Sequence, residues 1–557
     1  MNFLRNTMLR VKSARLDRYI AGADRAKDVQ RQNLLERVAR NANSQFGRDH
    51  GFGEIRSIDD FRRRLPIANY EPHRPYIDRV MRGDIEALFE AGTKIWMFAE
   101  TSGTTAEPKH IPITDRFYRQ YKAGWQAWGT GLYRDHPHLL HRQTLQFTSH
   151  WKTSFAPSGT PCGNISGLAS ETRPFYMGSL FVLPKAVIRI IDFSAKHYTA
   201  LRLSLASDRV GMIITANPST LIEIAKRIDR DKESLIRDIH DGTLSADVNV
   251  PEPIRQQLQP RMRANPRRAR ELSAMADRAG VLRPQDVWPG LEMLAVWTGG
   301  SVGIYLDQLP DYFGDIMLRD HGISASEGRM TFPLENGRAS GPLDYASHFY
   351  EFIPVDEKDD DDPTTLEAHE LEVGSDYYIL LTTDAGLYRY DIHDLVRCTG
   401  YMGQTPLLIF LNKGKHFSSI TGEKIYEYHV LSALEKCCDT FGIKNDTYTL
   451  APDQTDPPQY VLVVTDSMVA GREEQVRLKL QDFLCEQNHE YADKCASGRL
   501  QPVGIFPIPT WVWDEVRREK TAERGNFEEY KHPCLTNDLN YLPMIRRILA
   551  AGPPQAR

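Results

Sequence analysis

Between Lys94 and His110 the chain changes character within a few residues, and this stretch constrains the fold more than any other. Lys94-Ile95-Trp96-Met97-Phe98 is a bulky apolar run, the pattern of a short buried strand. It passes directly into Ala99-Glu100-Thr101-Ser102-Gly103-Thr104-Thr105-Ala106-Glu107-Pro108-Lys109-His110. Gly103 lets the backbone turn without a Cβ clash. Ser102, Thr104 and Thr105 offer hydroxyl donors, the backbone offers N–H groups that can converge on an anion, and Lys109 adds a mobile positive charge. These parts can hold a polyphosphate. The same residue types also build polar hairpin turns, and the spacings G-x-x-x-x-G-K-[ST] and G-x-G-x-x-G are absent. Local chemistry alone leaves both readings open.

At 557 residues the chain has room for two or more domains and a large core. A content of 41% hydrophobic and 26% charged residues fits a soluble globular protein. The net charge of −5 gives no electrostatic case for nucleic acid or an anionic membrane as partner. No apolar run is long enough to span a bilayer, and Met1–Arg5 lacks a signal-peptide core, so a cytoplasmic location is expected. The seven cysteines (Cys162, Cys398, Cys437, Cys438, Cys485, Cys495 and Cys534) are odd in number and contain no C-x-x-C pair. Buried reduced thiols are expected, rather than structural zinc or a disulfide framework. The sequence does not specify an oligomeric state.

Along the chain, Leu34, Leu35, Val38 and Ala42 share a helix face, with Gly47 expected to stop that helix. Ser57 reads as an N-cap, and Pro66 as the end of the helix it opens. Residues 115–135 are rich in aromatics, and 156–168 read as a flexible Gly/Ser/Pro stretch. Ile213–Thr220 reads as strand, turn and helix cap, and 221–285 as charged helices whose arginines lie on exposed faces. Leu294–Trp297 reads as a second buried strand, followed by Gly299-Gly300-Ser301-Val302-Gly303. That segment fits G-x-S-x-G after a strand, the nucleophile elbow of serine hydrolases with Ser301 as nucleophile. Ser326-Glu327-Gly328 offers a carboxylate at a tight turn, a hard oxygen ligand of the kind Mg²⁺ takes. The acidic run Asp356–Asp362 has no EF-hand spacing and reads as a solvated turn. Beyond Leu407–Leu411 the pattern becomes α+β, with a strand at Tyr460–Thr465 and a helix that aligns Val476, Leu480, Phe483 and Leu484.

The order T-S-G-T-T-x-x-P-K resembles the phosphate loop of the adenylate-forming superfamily of acyl-CoA synthetases, peptide-synthetase adenylation domains and luciferases; that loop usually has Gly where Ala106 stands. Asn217–Thr220, Phe349–Pro354 and the run Gly386-Leu387-Tyr388-Arg389-Tyr390 resemble one branch, the Gretchen Hagen (auxin-responsive promoter) family of acyl-acid amido synthetases, nearly end to end. That family usually reads Y-R-x-G-D where this chain has His393 at the glycine and Asp394 at the carboxylate. The resemblance implies an α/β fold. A large N-terminal adenylate-forming domain, 1–412, has mixed β-sheets and packed helices, and a smaller mobile α+β domain, 413–557, acts as a lid.

It also implies roles. Ser102, Gly103, Thr104, Thr105 and Lys109 would hold the phosphates of ATP, and Gly299 and Gly300 would pack beside the adenine, with Ser301 structural. Ser326 would flank Glu327, the Mg²⁺ ligand, and Asp394 would accept the ribose hydroxyls. Lys413 would occupy the basic hinge position next to Gly414, and Lys531 would be the terminal catalytic lysine. The implied reaction joins a carboxylic acid to an amine, an amino acid in this family, through an acyl-adenylate, with ATP and Mg²⁺. Thioester formation with CoA, hydrolysis by Ser301 and a silent ATP-binding protein are the alternatives. The acid and the amine are not specified.

Overall fold

The computed structural model describes residues 2–101, 109–300, 302–358, 360–413, 417–421, 423, 425–524 and 532–553. It contains two compact units, Met1–Thr298 with Leu309–Phe410, and Gly299–Gln308 with Leu411–Arg557. Both mix sheets with helices, the α/β class expected from the sequence.

The larger unit holds three principal sheets. In the first, Ile95–Thr101 pairs antiparallel with Lys109–Thr114 and parallel with Pro161–Gly163, and Ser154–Phe155 closes the edge. The second is parallel, in the order Gln143–Gln146, Val210–Ile214, Met293–Ala295, Met317–Arg319. Parallel strands need long crossovers that cover both faces, and here helices Phe193–Leu205, Pro218–Arg230 and Pro266–Ala279 lie among the connections. All five residues of Val210–Ile214 are buried, as such a sheet requires. The third sheet runs Gly341–Pro342, Thr405–Lys413, Tyr390–Met402, Asp376–Thr382, Phe349–Pro354, Leu366–Glu367, with antiparallel pairing. A continuous core from Leu34 to Leu408 includes Phe98, Ile111, Tyr350, Ile379 and Tyr390.

Local chemistry accounts for the element ends. Ser57 Oγ accepts the Asp60 N–H at 3.1 Å and opens helix Ile58–Arg64, two residues before Pro66. Asn217 accepts the Ser219 N–H at 3.0 Å and caps Pro218–Arg230. Gly47 does not stop the helix that carries Leu34 and Val38. That helix ends at Arg40, and Gly47 lies inside the next one, Gln45–Asp49, where a Cβ would collide with the Asn41 carbonyl. Close packing, not termination, explains this glycine. Residues 156–168 are likewise more ordered than their composition suggests: they contain strand Pro161–Gly163 and the start of helix Ile165–Glu171, capped by Asn164 at 2.9 Å from Ser166 N. Helix Ala26–Arg40 is anchored by Arg37 and Arg40, which grip Asp384 at 3.0 and 2.6 Å just before the segment leading to Tyr390.

In the smaller unit, Tyr448–Asp453, Gln459–Thr465 and Gly504–Ile508 form one sheet. Val461, Val463, Val512, Val516, Leu542 and Ile545 pack together as its core. Helix Glu473–Gln487 buries Val476, Leu480 and Leu484, with Phe483 half-buried. The seven cysteines are free, and Cys162, Cys398, Cys437 and Cys534 are buried.

Candidate active site

The site in the larger unit grows from the ends of two strand systems. Asp320 directly follows the parallel strand Met317–Arg319 and accepts the Thr298 hydroxyl at 2.7 Å, so it ties down the C-terminal ends of two neighbouring strands. Such ends are where open α/β sheets present ligands. Asp320 also accepts the Gly322 N–H at 2.5 Å, and Gly322 sits at φ +82° where a Cβ would collide with the Thr331 carbonyl. The chain can therefore turn straight into the hairpin Ser324–Ala325/Gly328–Arg329, with Ser326 and Glu327 at its tip.

Glu327 is buried. The Tyr390 hydroxyl donates to its Oε1 at 3.4 Å, and Lys109 Nζ donates to the same hydroxyl at 3.2 Å. The cation also lies 5.6 Å from the Tyr70 ring centre and 5.8 Å from that of Tyr390, within cation–π reach. Tyr70 is fixed in turn through its hydroxyl, which bonds both the N–H and the carbonyl of His110 at 3.0 Å. Burial, and then the Glu327 charge, push the Tyr390 hydroxyl well above the ordinary tyrosine range, so it remains a proton donor toward Glu327. Lys109, Tyr390 and Glu327 thus form one polar chain from the start of strand Lys109–Thr114 to the hairpin tip.

Tyr390 begins an irregular segment. Opposite the register step from Tyr378 to Leu380, the partner strand advances from Leu395 to Asp391, so Ile392, His393 and Asp394 form a bulge. Arg389 has φ +44° and His393 φ +59°, left-handed conformations that a side chain disfavours. This is why glycine suits position 393, and the chain holds histidine there by other means. Asp391 Oδ1 accepts the His393 N–H at 2.8 Å, and its other oxygen pairs with His393 Nδ1 at 3.0 Å and with Lys358. Burial alone would raise the Asp391 carboxyl; the hydrogen bond from His393 and the charges of His393 and Lys358 outweigh it and hold it at about 2. Arg389 is held by Glu351 at 3.0 Å and by the Leu65 carbonyl at 2.8 Å. Asp394 is buried in the bulge.

Lys109 is linked to Glu327 through Tyr390, Ser326 stands beside Glu327 at the hairpin tip, and Asp394 lies in the bulge that follows Tyr390; all four belong to the larger unit. Gly299, Gly300 and Lys413 fall in the smaller one: Gly300 has φ +73°, and Lys413 is the exposed last residue of strand Thr405–Lys413. Ser102, Gly103, Thr104, Thr105, Ala106, Ser301, Gly414 and Lys531 lie outside the described residues. Sequence reasoning gave no role to Tyr390, Tyr70, Asp320, Asp391 or Lys358. For Tyr390 a signal was present, its place in the run Gly386–Tyr390, but a tyrosine in a strand reads first as core.

Comparison with known proteins identifies the family. The chain matches the GH3 family N-terminal domain over residues 15–318, the central domain over 342–413 and the C-terminal domain over 428–540. It belongs to the GH3 family. It is 25% identical to the probable indole-3-acetic acid-amido synthetase GH3.2 of Oryza sativa subsp. japonica, over 91% of this chain and 87% of that protein. It is 24% identical to the jasmonoyl–L-amino acid synthetase GH3.5 of the same organism, over 78% and 80%. Among solved structures, the GH3.15 acyl acid amido synthetase is similar with a TM-score of 0.83 at 21% identity, covering 96% of this chain and 95% of that one.

Proposed function

We propose that this protein is an ATP-dependent acyl-acid amido synthetase. The observation that carries the reading is the chain Lys109–Tyr390–Glu327, next to the bulge that buries Asp394, in a chain of the GH3 family. In the first half-reaction a carboxylate oxygen of the acid attacks the α-phosphorus of ATP, and the bond to pyrophosphate breaks. In the second an amine nitrogen, that of an amino acid, attacks the acyl carbonyl; the bond to AMP breaks and the amine loses a proton.

Both first substrates are anions, so the chain's task is to lower repulsion and fix geometry. Lys109 supplies positive charge at the exit of residues 102–108, and Tyr390 holds its amine in place while donating toward Glu327. A buried carboxylate suits Mg²⁺, which keeps most of its waters and takes its remaining ligands from phosphate, so Glu327 fits as the residue that holds it. When bound, that ion neutralises phosphate charge and polarises the phosphorus centre. Ser102, Gly103, Thr104 and Thr105 are proposed phosphate contacts, Asp394 the ribose acceptor, and Gly299 and Gly300 the adenine neighbours. The split into a catalytic domain, 1–412, and a closing domain, 413–557, with Lys413 at the hinge, is part of the proposal. Lys531 is assigned charge neutralisation in the first half-reaction. The supply of ATP and amino acids supports a cytoplasmic site of action; among the described residues, no helix is long and apolar enough to cross a membrane.

Pyrophosphate exchange across a panel of carboxylic acids tests the first half-reaction, and mass spectrometry with ATP, the active acid, mixed amino acids and CoA tests the second. An amide is the expected product. An acyl-CoA as sole product, or no exchange with any acid, overturns the assignment. Lys531→Ala is expected to lose exchange yet still convert supplied acyl-adenylate to amide; equal loss of both steps removes its assigned role.

A further inference from the structure

On the first sheet, three chemically different side chains meet away from the polar chain just described. Glu100 and His110 are directly paired across strands Ile95–Thr101 and Lys109–Thr114, one position before the closing pair Thr101–Lys109. Cys162 lies on the parallel neighbour Pro161–Gly163, in register with Phe98. One ligand atom from each residue lies within 4.8 Å of the other two, and His110 Nε2 is 3.9 Å from Glu100 Oε1. The carboxylate is oriented from outside the cluster: Thr153 Oγ1 donates to Oε2 and Ser154 Oγ to Oε1, each at 2.8 Å. Cys162 is buried, whereas Glu100 and His110 are only partly so, which leaves one side open to solvent. Strand alternation puts His110 on the face opposite Lys109, so this cluster is separate from the Lys109–Tyr390–Glu327 chain.

We infer that Glu100, His110 and Cys162 form a binding site for a divalent transition-metal ion of the zinc type. A thiolate and an imidazole select such an ion over Mg²⁺ or Ca²⁺, which take oxygen donors. Three protein ligands leave a fourth position for water, as in open zinc sites. Metal–ligand bonds of about 2.0–2.3 Å require the donor atoms to close in by roughly 1 Å, and the two partly exposed side chains have the freedom to do so. As the metal–sulfur bond forms, the Cys162 S–H proton passes to solvent, with no change in oxidation state. The bound ion would tie the strands entering and leaving residues 102–108 to their parallel neighbour. This inference does not rest on the proposed synthetase reaction.

Titration of the full-length protein with Co²⁺, followed optically, is the test. The expected result is one equivalent bound, with a thiolate-to-cobalt charge-transfer band and the intense visible bands of four-coordinate cobalt, all displaced by Zn²⁺. Cys162→Ser should remove the charge-transfer band although six other cysteines remain. His110→Asn and Glu100→Gln, at partly exposed positions where folding is readily preserved, should each weaken binding at least tenfold. Absence of the band in the wild type, its retention in Cys162→Ser, or unchanged affinity in both His110→Asn and Glu100→Gln overturns the site.

Discussion

Glu327 and Asp394, two carboxylates assigned to one site, are presented by backbones that solve the same problem differently. Before Glu327 the left-handed turn falls on Gly322, which has no Cβ to collide with the Thr331 carbonyl. Before Asp394 it falls on His393, whose backbone N–H and imidazole are both held by Asp391, with Lys358 completing the cluster. In one turn the conformation costs little because nothing is in the way. In the other a disfavoured conformation is held by charge and hydrogen bonding. The first arrangement is intolerant of any side chain; the second tolerates a large side chain and depends on the charge and hydrogen bonds of Asp391.

The largest expected effect tests the shared purpose of the two turns. Glu327→Ala should reduce pyrophosphate exchange about a hundredfold or more, corresponding to roughly 3 kcal/mol of lost charge stabilisation, while the thermal unfolding midpoint stays near wild type. Unchanged exchange would mean that the Gly322 hairpin does not serve the reaction. Next, Gly322→Ala should cost about 2–4 kcal/mol of stability, combining left-handed strain with the collision at Thr331. Denaturant unfolding gives the value, and a loss below about 1 kcal/mol would show that the turn relaxes easily.

Asp391→Asn tests the clamp through pH. The Asp391 carboxyl is depressed to about 2 in the folded protein, against an unfolded value of about 4. A depressed carboxyl contributes stability that is complete above the unfolded value and lost as pH falls through the folded one, so the window is about pH 4 to pH 2. The contribution is about 2.5 kcal/mol, and Asp391→Asn should lose it above pH 4 and show a shallower acid limb. An acid limb identical to wild type would remove Asp391 as the clamp. Tyr390→Phe should cost less, about tenfold in exchange at limiting ATP for one lost hydrogen-bond bridge, with folding intact. His393→Gly should have the smallest effect: about 1 kcal/mol of relieved backbone strain is offset by loss of the imidazole contact, leaving stability within about 1 kcal/mol of wild type. A large destabilisation there would show that the imidazole, not the Asp391 bond to the backbone, holds the bulge.

How much of this was legible depended on how local the cause was. Ser57, Asn217 and the apolar run ending at Phe98 act over two to four residues, and the structure has them as the sequence implied. Gly47 was misread because its reason for being glycine is the Asn41 carbonyl packed against it, and neighbour packing leaves no mark on a one-dimensional pattern. The runs Asn217–Thr220, Phe349–Pro354 and Gly386–Tyr390 carried the family, and the match to its three domains bears that reading out.

The sequence by itself determined the α/β class, the main strands and caps, and membership of the GH3 family, because periodicity, capping and motif order are properties of the chain read locally. Only the tertiary structure decided that Tyr390 joins Lys109 to Glu327, that Asp320 fastens two strand ends, and that His393 occupies a glycine conformation with Asp391 holding it. Tyr390 stands 281 residues from Lys109 and 63 from Glu327. Contacts at such separations are set by which sheets pack together, and burial then makes each resulting hydrogen bond and charge matter.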